Sequence, residues 1–464
     1  MSTLKTAADE ARQELAGTFG GELIGPADPG YETARAVYNA MIDRRPALVA
    51  GCTSAADVAA GIAFARRHDL PLAVRGGGHN GAGLGVVDDG VVLDLSAMNA
   101  IDIDAGARTV RAGGGCTLGQ VDAATHQVGL AVPAGIISTT GVGGLTLGGG
   151  IGHITRSCGL TIDNLLEADV VLADGSQLRA SADENANLFW ALRGGGGNFG
   201  VVTSFLFRAH PVSTVQAGPT FWPMEQTPEV MRWYREFIPA APRELSGFFA
   251  FLTVPPVPLS PEELHMRKVC GVVWCHTGSD EAAARDLAEV QGVGTPLLHA
   301  VGPVPFPGLQ TLFDGLYPPG HQWYWRADFV NELSDAAIAA HHEWGQKLPT
   351  MQSSMHMYPI DGAPQDVGAS ETTWGFRDAR WAQVIVGVDP DPANAGLIRQ
   401  WTVDYWEATH PYSAGGAYIN FMMDEGSARV QATYRGNYDR LAELKAKYDP
   451  ENVFRVNQNI APAA

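Results

Sequence analysis

The chain is poor in the features that mark several protein classes. It contains no basic run, and its 31 Lys and Arg are outnumbered by 50 Asp and Glu, for a net charge of −19. That balance argues against nucleic acid or an anionic membrane as the main partner. No stretch approaches the roughly 18 apolar residues that a membrane helix needs. The opening MSTLKTAADEARQEL is charged along its length and has no apolar core, so it does not read as a signal peptide. There are five cysteines, Cys52, Cys116, Cys158, Cys270 and Cys275. Their odd number and irregular spacing argue against a disulfide framework and for a reducing, cytoplasmic setting. Only 17% of residues are charged and 45% are hydrophobic, which excludes wholesale disorder. A P-loop G-x-x-x-x-G-K-[ST], internal repeats and low-complexity tracts are also missing.

Glycine is in excess, and unevenly so. Of 55 Gly, 30 lie between Gly51 and Gly200, whereas ten of the 11 Trp lie after residue 200. The glycine follows no G-x-y period, so collagen is excluded. At 464 residues the chain has room for two or three domains. The first half alternates β and α: a short helix over Glu32–Met41, a strand in RRPALVAGCTS, a helix in ADVAAGIAFARRHDL and a strand in PLAVRGGGHN. Two further strands are expected in VVLDLSAMNAIDID and ARTVRAGGG, then a helix in LGQVDAATHQVGL. Asp174-Gly175 marks a hairpin. Pro211 marks a boundary, after which aromatic alternating runs and helices suggest one antiparallel sheet backed by helices. Ser427–Tyr448 reads as one helix.

Four turns are dense in glycine: Arg75–His79, Ala112–Cys116, Gly141–Gly152 and Gly194–Asn198. One such turn is ordinary. Four in one region suggest loops wrapped around a large cofactor, because glycine lets backbone approach a ligand closely. Gly195, Gly197 and Gly200 match G-x-G-x-x-G, but they follow a helix and open a strand, the reverse of a dinucleotide fingerprint.

RGGGHN, the following GxGG…GGGxG stretch, LFWALRGGGGNFGVVTSF and the tail YINFMMDEG…YDPENVFRVNQNI together resemble the flavin-linked oxidases of the berberine bridge enzyme type. These belong to the vanillyl-alcohol oxidase group with its PCMH-type FAD-binding domain. The resemblance runs from about Arg44 to Ile460, is weakest over Gln216–Gln365, and suggests a bacterial secondary-metabolism branch. It implies an α+β fold: a two-part FAD-binding domain (1–211), a substrate domain with a large antiparallel sheet backed by helices (212–425), and a C-terminal segment (426–464) returning to the FAD domain.

The resemblance also implies that FAD is bonded to His79. Relatives often carry a second tether, a cysteine in C-P-T-V-G-x-G-G. The matching segment here is Ile137-Ser138-Thr139-Thr140-Gly141-Val142-Gly143-Gly144, so a single link through His79 is expected. The implied cofactor residues are Arg75, Gly76, Gly77, Gly78, His79, Asn80, Thr140, Gly141, Gly143, Gly144, Gly148, Gly149, Gly152, His153, Val202, Asn457 and Asn459. Cys158 stands where relatives often have Tyr, and reads as a small buried hydrophobe.

Oxidation of an alcohol or amine needs a proton acceptor within hydrogen-bond reach of the substrate heteroatom. Tyr418 matches the Y-x-N tyrosine that serves as base or anchor in several such oxidases, with Asn420 on the same face of a strand. Ser354, His356 and Tyr358 share one face of the strand MQSSMHMYPI, which makes His356 a second candidate acid or base. Tyr324, Trp325, Tyr358 and Asn420 are expected to line the pocket. His341 and His342 point ~100° apart on a helix, poor metal geometry, and read as a solvated face. No metal is expected. The expected activity is hydride transfer from an alcohol-type carbon of a sugar, polyketide or other metabolite to flavin N5, with reoxidation by O₂ to H₂O₂. A same-fold dehydrogenase, an oxidase of nicotine-like amines and a non-catalytic carrier are the alternatives. A monomer or homodimer is expected.

Overall fold

A computed structural model describes residues 6–257 and 260–463. The first five residues of the opening segment and the last residue of the tail lie outside it. Three sheets organise the chain. In the first, strands run in the order Glu22–Ile24, Leu48–Gly51, Val91–Asp94, Leu72–Arg75, the last two pairings being parallel. The helix Ala55–Arg67 connects Leu48–Gly51 to Leu72–Arg75, capped by the Ser54 hydroxyl, which accepts from Asp57 N–H. The second sheet is antiparallel, in the order Ile101–Asp104, Thr109–Gly113, Val201–Arg208, Leu165–Val171, Gln177–Ser181.

The third sheet has eight strands and is antiparallel throughout. Its central members are Leu245–Thr253, Ser354–Pro359, Trp381–Asp389 and Gln322–Val330. One face is buried against the helices Thr227–Ala240, Asp335–Gly345 and Ala395–Thr409, with Met355, Met357, Phe249 and Ile385 packing on Tyr234, Ile338 and Tyr405. The opposite face carries Phe248, Tyr358, Val384 and Val386 and joins the core of the glycine-rich half. Side chains alternate along a strand, so the sheet turns one row to the helices and the next toward the glycine loops.

Several local expectations change. The helix near Glu32 is only Tyr31–Arg35. It stops because the buried Arg75 guanidinium donates to the Ala34 and Ala36 carbonyls, which a longer helix would have used. The stretch read as two strands holds three, Val91–Asp94, Ile101–Asp104 and Thr109–Gly113. The tail helix is two, Ser427–Tyr434 and Tyr438–Tyr448, broken where Arg435 takes φ +49° and stacks on Phe376. His341 is not solvated: it is 1% exposed, and its Nδ1 lies 2.8 Å from Tyr405 Oη. The third sheet and its loops touch the glycine-rich half at several points: Arg156 pairs with Asp361, Arg377 pairs with Asp163, and the Tyr418 hydroxyl accepts from Gly150 N–H. No helix among the described residues is long and apolar enough to cross a membrane.

Candidate active site

A cavity of about 300 Å³ lies where the three sheets meet. The glycine-rich half contributes Gly76–Gly78, His79, Thr140, Gly141, Gly143, Gly144 and Val202 to its wall. The large sheet contributes Trp323, Trp325, Ser354, His356 and Tyr358, and the C-terminal part contributes Tyr418, Asn420 and Asn457.

Two glycine loops touch each other at the wall. A Cβ on Gly77 would sit 2.3 Å from Gly141 N, and one on Gly141 would sit 2.2 Å from Gly77 N. Only glycine permits this approach. His79 follows directly. Its Nε2 lies 2.9 Å from Thr139 Oγ1 and its Nδ1 3.4 Å from Thr140 Oγ1. Tyr38 stacks on the ring at 3.8 Å. Desolvation pushes the His79 pKa down to about 4, so the imidazole is neutral at pH 7 and keeps a lone pair for bonding. Arg75 lines the wall, but its guanidinium is paired with Asp94. Asn80 Oδ1 accepts from Leu84 N–H and shapes the turn.

Six of the residues expected here do not line the cavity. Gly148, Gly149 and Gly152 admit protein instead: an added Cβ would meet Asn420 at 2.2 Å, Trp374 at 2.4 Å and the Ala134 carbonyl at 1.6 Å respectively. They let the chain turn beneath Tyr418. His153 is buried beside Phe248, with its ring centroid 6.0 Å away. Asn459 lies beyond the wall, which Asn457 and Gln458 form. Tyr324 faces away, between Arg326 and Arg399, because its neighbours Trp323 and Trp325 take the cavity side of the strand.

Tyr418 precedes a short 3₁₀ turn, Ile419–Phe421, rather than standing in a strand. The turn still brings Asn420 beside it. The Tyr418 oxygen accepts from Asn420 Nδ2 at 2.7 Å and from Gly150 N–H at 2.9 Å. Burial pushes its pKa up to about 12 despite these two donors. The His356 Nδ1 lies 2.8 Å from Tyr358 Oη, and both rings pack on Phe248 at 5.2 and 5.0 Å. Desolvation holds His356 down to about 4.

Other wall residues escaped sequence reasoning: Tyr38, Tyr317, Trp323, Phe421 and Gln458, and the turn Gly196–Asn198 is legible only as one of four glycine-dense turns, without a named cofactor residue. For the last, a signal existed. The G-x-G-x-x-G match sits between the helix Ala186–Leu192 and the strand Val201–Arg208. That context does exclude a Rossmann turn, yet Gly196, Gly197 and Asn198 form part of the wall. Tyr317, in the turns before the strand Gln322–Val330, and Trp323, on that strand, carried no signal, because only tertiary packing brings them to the wall. Of the ten later Trp, Trp323 and Trp325 line the cavity, whereas Trp222, Trp274, Trp381 and Trp401 fill the sheet–helix core.

Comparison with known proteins agrees with this geometry. Residues 46–181 match an FAD binding domain, and residues 417–461 match the berberine and berberine-like family. An FAD-linked oxidoreductase of Dictyostelium discoideum is 31% identical, over 92% of this chain and 91% of its own length. (R)-6-hydroxynicotine oxidase of Paenarthrobacter nicotinovorans is 30% identical over 95% of this chain and 97% of its own. The solved glucooligosaccharide oxidase of Acremonium strictum, described as revealing a novel flavinylation, superposes with a TM-score of 0.85 at 25% identity and covers 100% of both chains. The α+β architecture, the glycine-walled cavity and these matches together make the chain a member of the berberine bridge enzyme-like family of FAD-linked oxidoreductases.

Proposed function

We propose that this enzyme oxidises the CH–OH group of a small molecule, with FAD bonded to His79 alone. The observation that carries the reading is the neutral His79 imidazole at the wall of a cavity lined by Gly76–Gly78, Gly141 and Gly143. An added Cβ on Gly144, also at the wall, would meet nothing beyond its own helix within 4 Å, so this part of the cradle faces open space. Arg75, Asn80, Thr140, Val202 and Asn457 would complete its seat. Ile137 lines the same cavity where a cysteinyl tether would start, and its side chain offers no thiolate, which supports a single link. Bound FAD supplies the hydride acceptor and, as an oxidase cofactor, returns the electrons to O₂ as H₂O₂.

The protein's own groups then handle the substrate hydroxyl. The Tyr418 oxygen already accepts two N–H donors, so its own proton is free to be donated into the cavity and orient the substrate. His356, neutral at pH 7, takes the hydroxyl proton through Tyr358, whose oxygen lies 2.8 Å from His356 Nδ1. The five free cysteines support a reducing, cytoplasmic setting.

The test is a substrate screen on purified protein, read by anaerobic bleaching of the flavin and its recolouring in air. Bleaching without recolouring would favour a dehydrogenase with another acceptor. A colourless protein would end the reading. His79→Ala should abolish the acid-stable flavin band on a denaturing gel, and a band that survives would reassign the link.

A further inference from the structure

The cavity wall is nearly free of charge. Among the described residues that line it there is no Asp, Glu or Lys. Its one guanidinium, Arg75, is turned to Asp94 and to the carbonyls of Ala34 and Ala36. The imidazoles of His79 and His356 are both neutral at pH 7. A charged group entering beside the large-sheet wall, away from the glycine loops, would lose its hydration and find no counter-charge.

The wall is instead rich in rings. Centroids lie 5.4 Å apart from Tyr317 to Trp323, 6.1 Å from Trp323 to Trp325, 6.4 Å from Trp325 to Phe421 and 5.8 Å from Phe421 to Tyr358. Such a chain of faces and edges suits a flat apolar body. The hydroxyls beside it are paired with one another or with an imidazole, whereas the buried indole N–H groups of Trp323 and Trp325 have no partner. Tyr358 Oη lies 2.8 Å from His356 Nδ1, and Tyr317 Oη lies 3.5 Å from Ser354 Oγ. One hydroxyl finds partners here; the many hydroxyls of a sugar chain would outnumber these groups.

Resting on the flavin-linked oxidation proposed above, we infer that the substrate is an uncharged alcohol with a flat aromatic body. Its ring lies along Trp323, Trp325, Phe421 and Tyr358, and its hydroxyl meets the Tyr358–His356 pair. In this arrangement Tyr358 gives its proton to the hydrogen bond with His356, its oxygen faces the substrate as an acceptor, and Tyr418 is the opposing donor. Cationic amines, carboxylates and oligosaccharides are discriminated against at the binding step.

Binding can be measured without turnover, under anaerobic conditions and with probes that have no benzylic or free anomeric CH–OH. Purified flavin-containing protein is dialysed to equilibrium at pH 7 against 2-naphthol, the N-methylisoquinolinium cation, 2-naphthoate and methyl β-cellobioside. The expected result is 2-naphthol binding at least about tenfold more tightly than either ion, with no saturable binding of the cellobioside. Tyr358→Phe should weaken 2-naphthol at least about fivefold and leave naphthalene unchanged, which also reports that the variant is folded. The inference is overturned if the cation, the anion or the cellobioside binds as tightly as 2-naphthol. It is equally overturned if 2-naphthol does not saturate, or if the variant loses both naphthalenes alike. Loss of flavin, or a flavin that no substrate bleaches, would sink the oxidase reading alone, since this binding order does not depend on reduction.

Discussion

At the scale of single residues, the site is built from groups whose charge is fixed across the neutral range. Burial pushes Tyr418 up to about 12, with the Gly150 and Asn420 donors acting against it, and pushes His356 down to about 4. Neither changes charge between those values. The rate of flavin reduction is therefore expected to be flat from about pH 5.5 to 9 in rapid-mixing experiments, and a step near neutrality would show that another group titrates. Tyr418→Phe removes the free donor proton and should slow reduction at least about tenfold, equivalent to ~1.4 kcal/mol of barrier. A smaller loss would remove Tyr418 from the chemistry. Tyr418 and His356 were legible in the sequence, one from a motif and one from the two-residue period of its strand. Tyr324 illustrates the limit. It was grouped with Trp325, but adjacent residues of a strand face opposite ways, and Trp325 took the cavity side.

At the scale of elements, the cavity is held open by pieces distant in sequence. Its C-terminal wall is fastened by a buried lysine. Lys445 Nζ donates to the Asn198 carbonyl and to Asp449 Oδ2, each at 2.7 Å, and both ionic side chains are 0% exposed. Asp449 accepts from Val453 and Phe454 N–H, Asn457 Nδ2 donates to the Gly197 carbonyl, and Asn198 Oδ1 accepts from Ile460 N–H. The turn Gly196–Asn198 and the tail Asn457–Gln458 are thus one assembly. Lys445→Met leaves a buried carboxylate unpaired and should cost about 3–5 kcal/mol in denaturant unfolding. Flavin content per chain should fall with it; full flavin loading would show that the assembly does not serve the cavity. The tail motif was legible as a motif. That it closes back on Gly197 and Asn198 was not, because those contacts span about 260 positions.

At the scale of the whole molecule, the two halves meet at a buried acid. Asp122, on the helix Leu118–His126, is 2% exposed and accepts from Gln310 Nε2, on the helix Phe306–Gln310, at 3.2 Å. Desolvation pushes its pKa up to about 7, only partly offset by the Gln310 hydrogen bond. A carboxyl whose folded pKa is raised binds its proton more tightly in the native state. Its contribution is therefore neutral below the unfolded value near ~4 and becomes a growing penalty as pH rises toward 7. Asp122→Asn should stabilise the protein at pH 8, by up to about 4 kcal/mol, and leave it unchanged at pH 4. Equal unfolding midpoints for the two proteins at pH 8 would refute the assignment.

The sequence by itself determined the family, the α+β class, the glycine loops and the histidine that follows them, because these rest on local signals: short motifs, glycine conformation and the periods of strands and helices. It also located the row Ser354, His356, Tyr358, because alternation is a local rule. Only the tertiary structure decided which glycines face a cavity and which admit Trp374, Asn420 or the Ala134 carbonyl. It alone brought Tyr317, Trp323 and Phe421 together into a ring-lined wall that, among the described residues, has no acid or lysine. The physical reason is that a cavity is bounded by residues from strands paired far apart in sequence, and neither composition nor period records which side chain the fold turns toward it.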